Sequence, residues 1–209
     1  MNSLRHVLAA LLSLVLPLPV AAAPILTPST TTYGGIVSGG SFVTGTTGIN
    51  FDQNNWPSTQ DPTKAVDALI GPGSKYLNFK VTDIALIFAG STARVADRLE
   101  LWVAEDAVER DPSSYILYGT NTTIPTTLAI TGNTIALSSF TRLSSGPLTL
   151  PDTRDLVGDA AGFSQSIPIP NTTAYASYLL VFTAVKGPAA ISMQISEVQL
   201  YASGIIGVE

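Results

Sequence analysis

The sequence contains no cysteine and a single histidine, His6, in 209 residues. Without cysteine there is no disulfide framework and no thiolate nucleophile, so folded stability must come from a packed core. Charge is sparse as well: Lys and Arg number 10 and Asp and Glu 15, a net charge of -5. So few cations, scattered along the chain, leave no electrostatic footprint for nucleic acid or an anionic membrane surface. Also lacking, after Ala23, is any capped segment with sustained 3.6-residue periodicity, which excludes long helices.

What is present begins with Arg5 and His6 ahead of an apolar run from Val7 to Val20, followed by Ala21, Ala22 and Ala23. A basic start, a short apolar stretch and small residues read as a signal peptide over residues 1–22. The cut is placed after Ala22, because a cut after Ala23 leaves Pro24 beside the scissile bond. The apolar run falls short of the roughly 20 residues a spanning helix needs, so no membrane span is expected in the mature chain. The expected location is secreted and extracellular, with periplasm or cell surface as variants of it. Removing the segment removes the only histidine. The mature chain then has no Ser-His-Asp triad, no histidine acid-base catalyst and none of the usual zinc sites.

The remaining roughly 185 residues suit one domain. With 17 Gly, 14 Pro and 45% hydrophobic residues, they read as a turn-rich all-β chain with a core. Leu99, Leu101 and Val103 alternate with Glu100 and Trp102, the period-2 pattern of a strand with one buried face. Tyr115 to Tyr118 form a second strand closed by Gly119. Tyr76–Phe79, Ile84–Phe88, Ser166–Ile169 and Tyr175–Ala184 read as further strands, and Thr127–Ile130 and Asn133–Ser138 as a hairpin turning at Gly132. Phe140 to Gly162 reads as loop. The last strand, Ala190 to Tyr201, holds an irregularity. Ile191, Met193 and Ile195 are apolar on odd positions, Val198 and Leu200 on even ones. The parity flips at Ser196-Glu197, as one extra residue in a bulge requires, and the re-aimed side chain is Glu197. The predicted core includes Leu99, Leu101, Val103, Leu117, Leu180, Phe182, Ile195, Val198 and Leu200.

Three segments stand in order: residues 75–79 (KYLNF), 109–119 (ERDPSSYILYG) and 193–201 (MQISEVQLY). Together they resemble the discoidin, or coagulation-factor C-type, superfamily of galactose-binding-like jelly rolls. More narrowly they are similar to secreted bacterial proteins that end in a PEP-CTERM tag. The resemblance spans about residues 50 to 202 and implies an eight-stranded antiparallel β-sandwich with ligand loops at one end. The expected layout is a Thr-, Ser- and Gly-rich segment with edge strands over 23–48, the sandwich over 49–202 and a short tail over 203–209. No sorting tag is carried over, since no apolar span or basic tail follows Tyr201. The terminal disulfide of many discoidin domains is excluded by the missing cysteines.

The resemblance also implies a structural calcium ion. Its matching ligands are the carboxylates of Asp67 and Glu197 and the backbone carbonyls of Lys64 and Ser74, an oxygen set that suits calcium. Ala68 stands where relatives carry glycine. Glu105, Asp106, Glu109 and Asp111 form an acidic group without the ligand spacing of an EF-hand loop, and Arg110 in its midst points to a salt-bridged turn. Trp56, in the polar loop Asn54-Asn55-Trp56-Pro57, is the best candidate for stacking on a sugar ring, with Asn54 and Asn55 beside it; plugging the base of the sandwich is its structural alternative. Tyr33, Phe51 and Tyr76 are weaker stacking candidates. Asn121-Thr122-Thr123 and Asn171-Thr172-Thr173 are glycosylation sequons, meaningful in a eukaryotic source only.

The expected function is a secreted, non-catalytic module that binds carbohydrate or extracellular matrix. The alternative is a structural envelope or matrix protein without a small ligand. A glycoside hydrolase ranks last, because paired carboxylates at about 5–9 Å arise by chance and nothing marks a pair here.

Overall fold

The computed structural model describes residues 22–38, 48–50, 55–125, 134–154 and 163–202. These form thirteen strands and three short 3-10 turns. The strands are β1 (Ala23–Pro24), β2 (Thr31–Ser38), β3 (Gly48–Asn50), β4 (Tyr76–Asn78), β5 (Ile84–Ala89), β6 (Arg98–Trp102) and β7 (Pro112–Thr120). They continue with β8 (Thr134–Ala136), β9 (Thr141–Pro147), β10 (Ser164–Pro168), β11 (Ser177–Val185), β12 (Met193–Ile195) and β13 (Glu197–Ala202). The residues before Ala22 that read as a signal peptide, the strand at 127–130 with its Gly132 turn and the tail after Ala202 lie outside the described residues.

Every pairing is antiparallel. One sheet runs β1-β13-β6-β10, a larger one β8-β3-β2-β5-β11-β7-β9, and β12 pairs with β4 in a small ribbon. The core between them buries all nine core residues expected from the sequence, each at 0% exposure. Leu86 and Phe88 of β5 and Tyr178 of β11 join them there. The Tyr178 hydroxyl is held by the backbone of Arg94 and Ala96, so burying it leaves no polar atom unpaired.

The larger sheet buries its other face too. Ala85 and Ile87 of β5 and Leu179 and Val181 of β11 lie at 0% exposure against Ile49, Ile135, Leu137 and Phe140. Strands covered on both sides need no polar alternation, which is why IALIFA and SYLLVFTAV are continuous apolar runs.

Two readings of the sequence change. The N-terminal segment does not supply edge strands alone: β2 lies inside the larger sheet, between β3 and β5, while β1 is a true edge. The stretch from Phe140 is not all loop, because Thr141–Pro147 is the edge strand β9. Its side chains are mostly Thr, Ser and Gly with no buried face, so no period-2 signal marks it.

At the far end of the chain, Ser196 separates β12 from β13. Glu197 is the ladder partner of Trp102, and the Ser196 N–H also bonds to the Trp102 carbonyl at 2.9 Å. Two residues thus oppose one, the bulge that the parity flip required. The bulge also hands the strand from β4 to β6.

Candidate functional site

Asp61, Pro62 and Thr63 organise the first part of the site. Asp61 caps the 3-10 turn Pro62–Ala65, its Oδ1 accepting from the Thr63 N–H at 2.8 Å, and proline occupies the first helical position. The turn packs beside Gly34 of β2. A Cβ on Gly34 would sit 2.5 Å from Pro62 Cγ and 2.9 Å from Trp56 Cζ3, so glycine here is a requirement of close approach. Trp56 is half-buried, packs on the core and meets Tyr76 edge-on at 6.1 Å between centroids. Its other surroundings form a hollow of about 480 Å³ lined by Trp56, Tyr33, Ser58, Asp61 and Thr63. Trp56 thus packs on the core with part of its ring and lines an opening with the rest.

The neighbouring candidates fare differently. Asn55 is 8% exposed, with its Nδ2 buried and unpartnered. Asn54 and Phe51 lie outside the described residues. Tyr76 is fully buried and hydrogen-bonded to Asn78, so it is no stacking surface. A larger hollow of about 700 Å³ lies where β2 begins and β5 ends. Thr and Ser predominate in its rim, and Tyr33 is the one aromatic ring among the described residues that line it.

The second part of the site joins residues far apart in sequence. Glu197, 4% exposed, accepts from the Ala68 N–H at 3.2 Å, across 129 positions. Asp67 accepts from the Ser74 hydroxyl at 3.0 Å and from the Leu69 N–H at 3.0 Å, and Lys64 Nζ stands 3.2 Å from it. Burial and the neighbouring Asp67 charge push the Glu197 carboxyl up to about 8, against the Ala68 N–H bond. The four residues picked for calcium thus gather in one place, with two contacts of another kind than expected. Lys64 reaches Asp67 through its ammonium, and Ser74 through its hydroxyl, while the Ser74 carbonyl accepts from Ser196 Oγ at 2.9 Å. Ala68 keeps the left-handed turn that glycine favours, at φ 61°. Among the described residues no three His, Cys, Asp or Glu side chains gather as a metal cluster.

The acidic turn of residues 105–111 is salt-bridged through Lys75, Arg154 and Lys186, and the Arg110 charge also acts on Asp106. Lys75, 4% exposed, pairs with Asp106 at 2.7 Å and Glu105 at 3.5 Å. Asp111, at 0% exposure, is held by Arg154 at 2.6 Å and Lys186 at 3.0 Å. Burial still outweighs both cations and raises its carboxyl. Three loops are bound together through that one side chain. The sequons also have structural work. The Asn121 amide donates to the Ala174 carbonyl and accepts from the Ala176 N–H, and Asn171 donates to the Ala96 carbonyl.

Sequence reasoning missed Leu69, Phe79 and Ile191, exposed at 57%, 52% and 79%. Phe79 and Ile191 stood within strands read from the sequence. The chain leaves β4 at Asn78 and enters β12 at Met193, so both fall just outside the ladder that would bury them.

No protein-family model and no curated protein matches this chain. Solved structures do. The family 32 carbohydrate-binding module of Clostridium perfringens NanJ, in complex with galactose, superposes with a TM-score of 0.54 at 9% identity, covering 86% of this chain and 98% of that one. A Clostridium perfringens module in complex with GalNAc-beta-1,3-galactose gives 0.53 at 10%, covering 86% and 100%. A Streptococcus pneumoniae fucose binding module gives 0.53 at 10%, covering 87% and 96%. Among the described residues no helix is long and apolar enough to cross a membrane. The antiparallel sandwich of this chain therefore shares its fold with solved family 32 carbohydrate-binding modules.

Proposed function

We propose that this chain is a secreted, non-catalytic module that binds carbohydrate. The observation that carries the reading is the hollow beside β2, where Trp56 and Tyr33 stand among the polar side chains of Ser58, Asp61 and Thr63. An aromatic wall takes the C–H face of a sugar ring and the polar groups take its hydroxyls, the usual division of labour in a saccharide site. The galactose, GalNAc-galactose and fucose named for the structural neighbours support the class of ligand. A glycan array on the protein tests the reading, followed by titration of one hit against Trp56→Ala. Loss of binding is expected in a variant that still unfolds cooperatively, with a lowered melting temperature because Trp56 also packs on the core. Binding to no glycan of a broad set overturns the reading and favours the structural matrix protein.

The same reading includes a structural calcium ion between Asp67 and Glu197. The donor set fits: two carboxylates share one partly buried place, and only a cation lets both be charged there. Two carboxylates are too few for an ion that takes six to eight oxygens, so carbonyls and water complete the shell. When bound, the ion neutralises the pair and ties the loop before β4 to the start of β13. Lys64 is the competing cation, already 3.2 Å from Asp67.

A further inference from the structure

The larger hollow, where β2 begins and β5 ends, continues into a smaller one of about 190 Å³: the two share Thr30, Gly90, Ser91 and Ala176. Among the described residues no Asp, Glu, Lys or Arg lines the larger part, and the smaller holds a single charged side chain, Arg94. Arg94 stands on a fixed base. Its N–H and carbonyl pair with those of Tyr175, and its carbonyl also accepts from the hydroxyl of the buried Tyr178. The half-buried guanidinium donates one hydrogen bond, to the Pro24 carbonyl at 3.2 Å, and meets no carboxylate among the described residues. A guanidinium has five N–H donors, so most of this one is uncommitted. The exposed hydroxyls of Ser91 and Thr92 line the same hollow and are likewise uncommitted among the described residues.

We propose that this trench is a second site, which binds a phosphate ester of a small polyol. The phosphate sits on Arg94, and the hydroxylated remainder runs into the uncharged part lined by Thr and Ser. The site does not involve Trp56 and stands apart from the saccharide reading. Its donors decide the shape of the anion. A carboxylate has two oxygens and is satisfied by the planar fork of one arginine. Here the fork is joined by hydroxyls on the following side of the hollow, at Ser91 and Thr92, which suits the three terminal oxygens of a tetrahedral phosphate. No carboxylate in the described lining opposes that charge. The chain as a whole, at net charge -5, attracts no anion from a distance, so the affinity is local to Arg94.

The test is titration of the isotope-labelled protein, followed by amide chemical shifts, with glycerol 3-phosphate, glycerol and glycerate at low ionic strength. Glycerol 3-phosphate is expected to move the amides of Ser91, Thr92 and Arg94, and to bind about tenfold tighter or better than either glycerol or the carboxylate analogue. Added salt weakens it. Arg94→Gln loses the binding. The pairing with Tyr175 uses only the Arg94 backbone, so this variant keeps its fold, and unchanged shifts away from the trench verify that. Lys80→Gln removes the same charge from an exposed position beyond the end of β4 and leaves the binding as it was. Glycerol 3-phosphate that binds no tighter than glycerol, or that still binds Arg94→Gln, overturns the proposal. Glycerate that binds equally well overturns the assignment to phosphate. A loss in Lys80→Gln equal to that in Arg94→Gln shows an effect of net charge and overturns the site.

Discussion

Glu197 shows how one side chain ties the calcium proposal to an observable pH dependence. Its folded carboxyl titrates near 8, far above the unfolded value of 4.5. The folded chain therefore holds a proton that the unfolded chain has released. The stability this contributes is complete below about pH 4.5 and is lost as pH rises through about 8. In chelator, the melting temperature should fall across that window. In excess calcium the carboxylate is held ionised, and the fall should flatten. Identical curves in calcium and in chelator would remove calcium from the site. Asp111 poses the opposite case, a buried charge with partners on two other loops. Asp111→Ala takes the shared carboxylate from Arg154 and leaves Lys186 with Asp152 alone, and should cost about 3–5 kcal/mol by denaturant unfolding. A loss comparable to a surface ion pair, below about 1 kcal/mol, would show that water already screens the cluster.

Among the elements, legibility follows the burial each one experiences. Strand β6 was plain in the sequence because one face meets the core and the other is half-exposed, so Leu99 and Leu101 alternate with Glu100. Strands β5 and β11 were plain as apolar runs, but not the reason for them. Nothing local says that Ile87 and Val181 are covered on that side, since the cover comes from Ile49 of β3, Ile135 of β8 and Phe140 elsewhere in the chain. Strand β9 was invisible for the converse reason, having no buried face to impose a period. The bulge at Ser196 was legible because parity is a property of the strand itself, while its consequence, the meeting of Glu197 with Asp67, came from the resemblance alone. The partners of Asp111 were not legible at all: Arg154 and Lys186 are 43 and 75 positions downstream, and no periodicity spans such gaps. That cover makes its own prediction. Ile87→Ala lies on the outer face of the larger sheet, yet it should cost about 2–5 kcal/mol, as a core truncation does. A cost near that of a solvent-facing substitution would mean that the covering segment contributes no packing.

At the scale of the whole molecule, two sheets and a ribbon are closed by contacts between β1 and β13, the first and last of the described strands. Ala23 is the ladder partner of Ala202 and Pro24 of Tyr201. The Ile25 N–H then bonds to the Leu200 carbonyl at 2.7 Å, and the Gln199 amide spans the N–H and carbonyl of Leu26. Cross-strand partners stand about 4.5–5.5 Å apart at Cα, a gap that a linker of a few residues closes. The order of strands around the sandwich thus does not depend on where the chain is opened. A permutant that joins Ala202 to Ala23 and begins instead at the exposed Thr92-Ala93 should unfold cooperatively, with the circular dichroism of the parent. Loss of a cooperative transition would show that β1 must be a free end. By the same geometry the sandwich can be spliced into a surface loop of another protein, entering and leaving through one narrow seam.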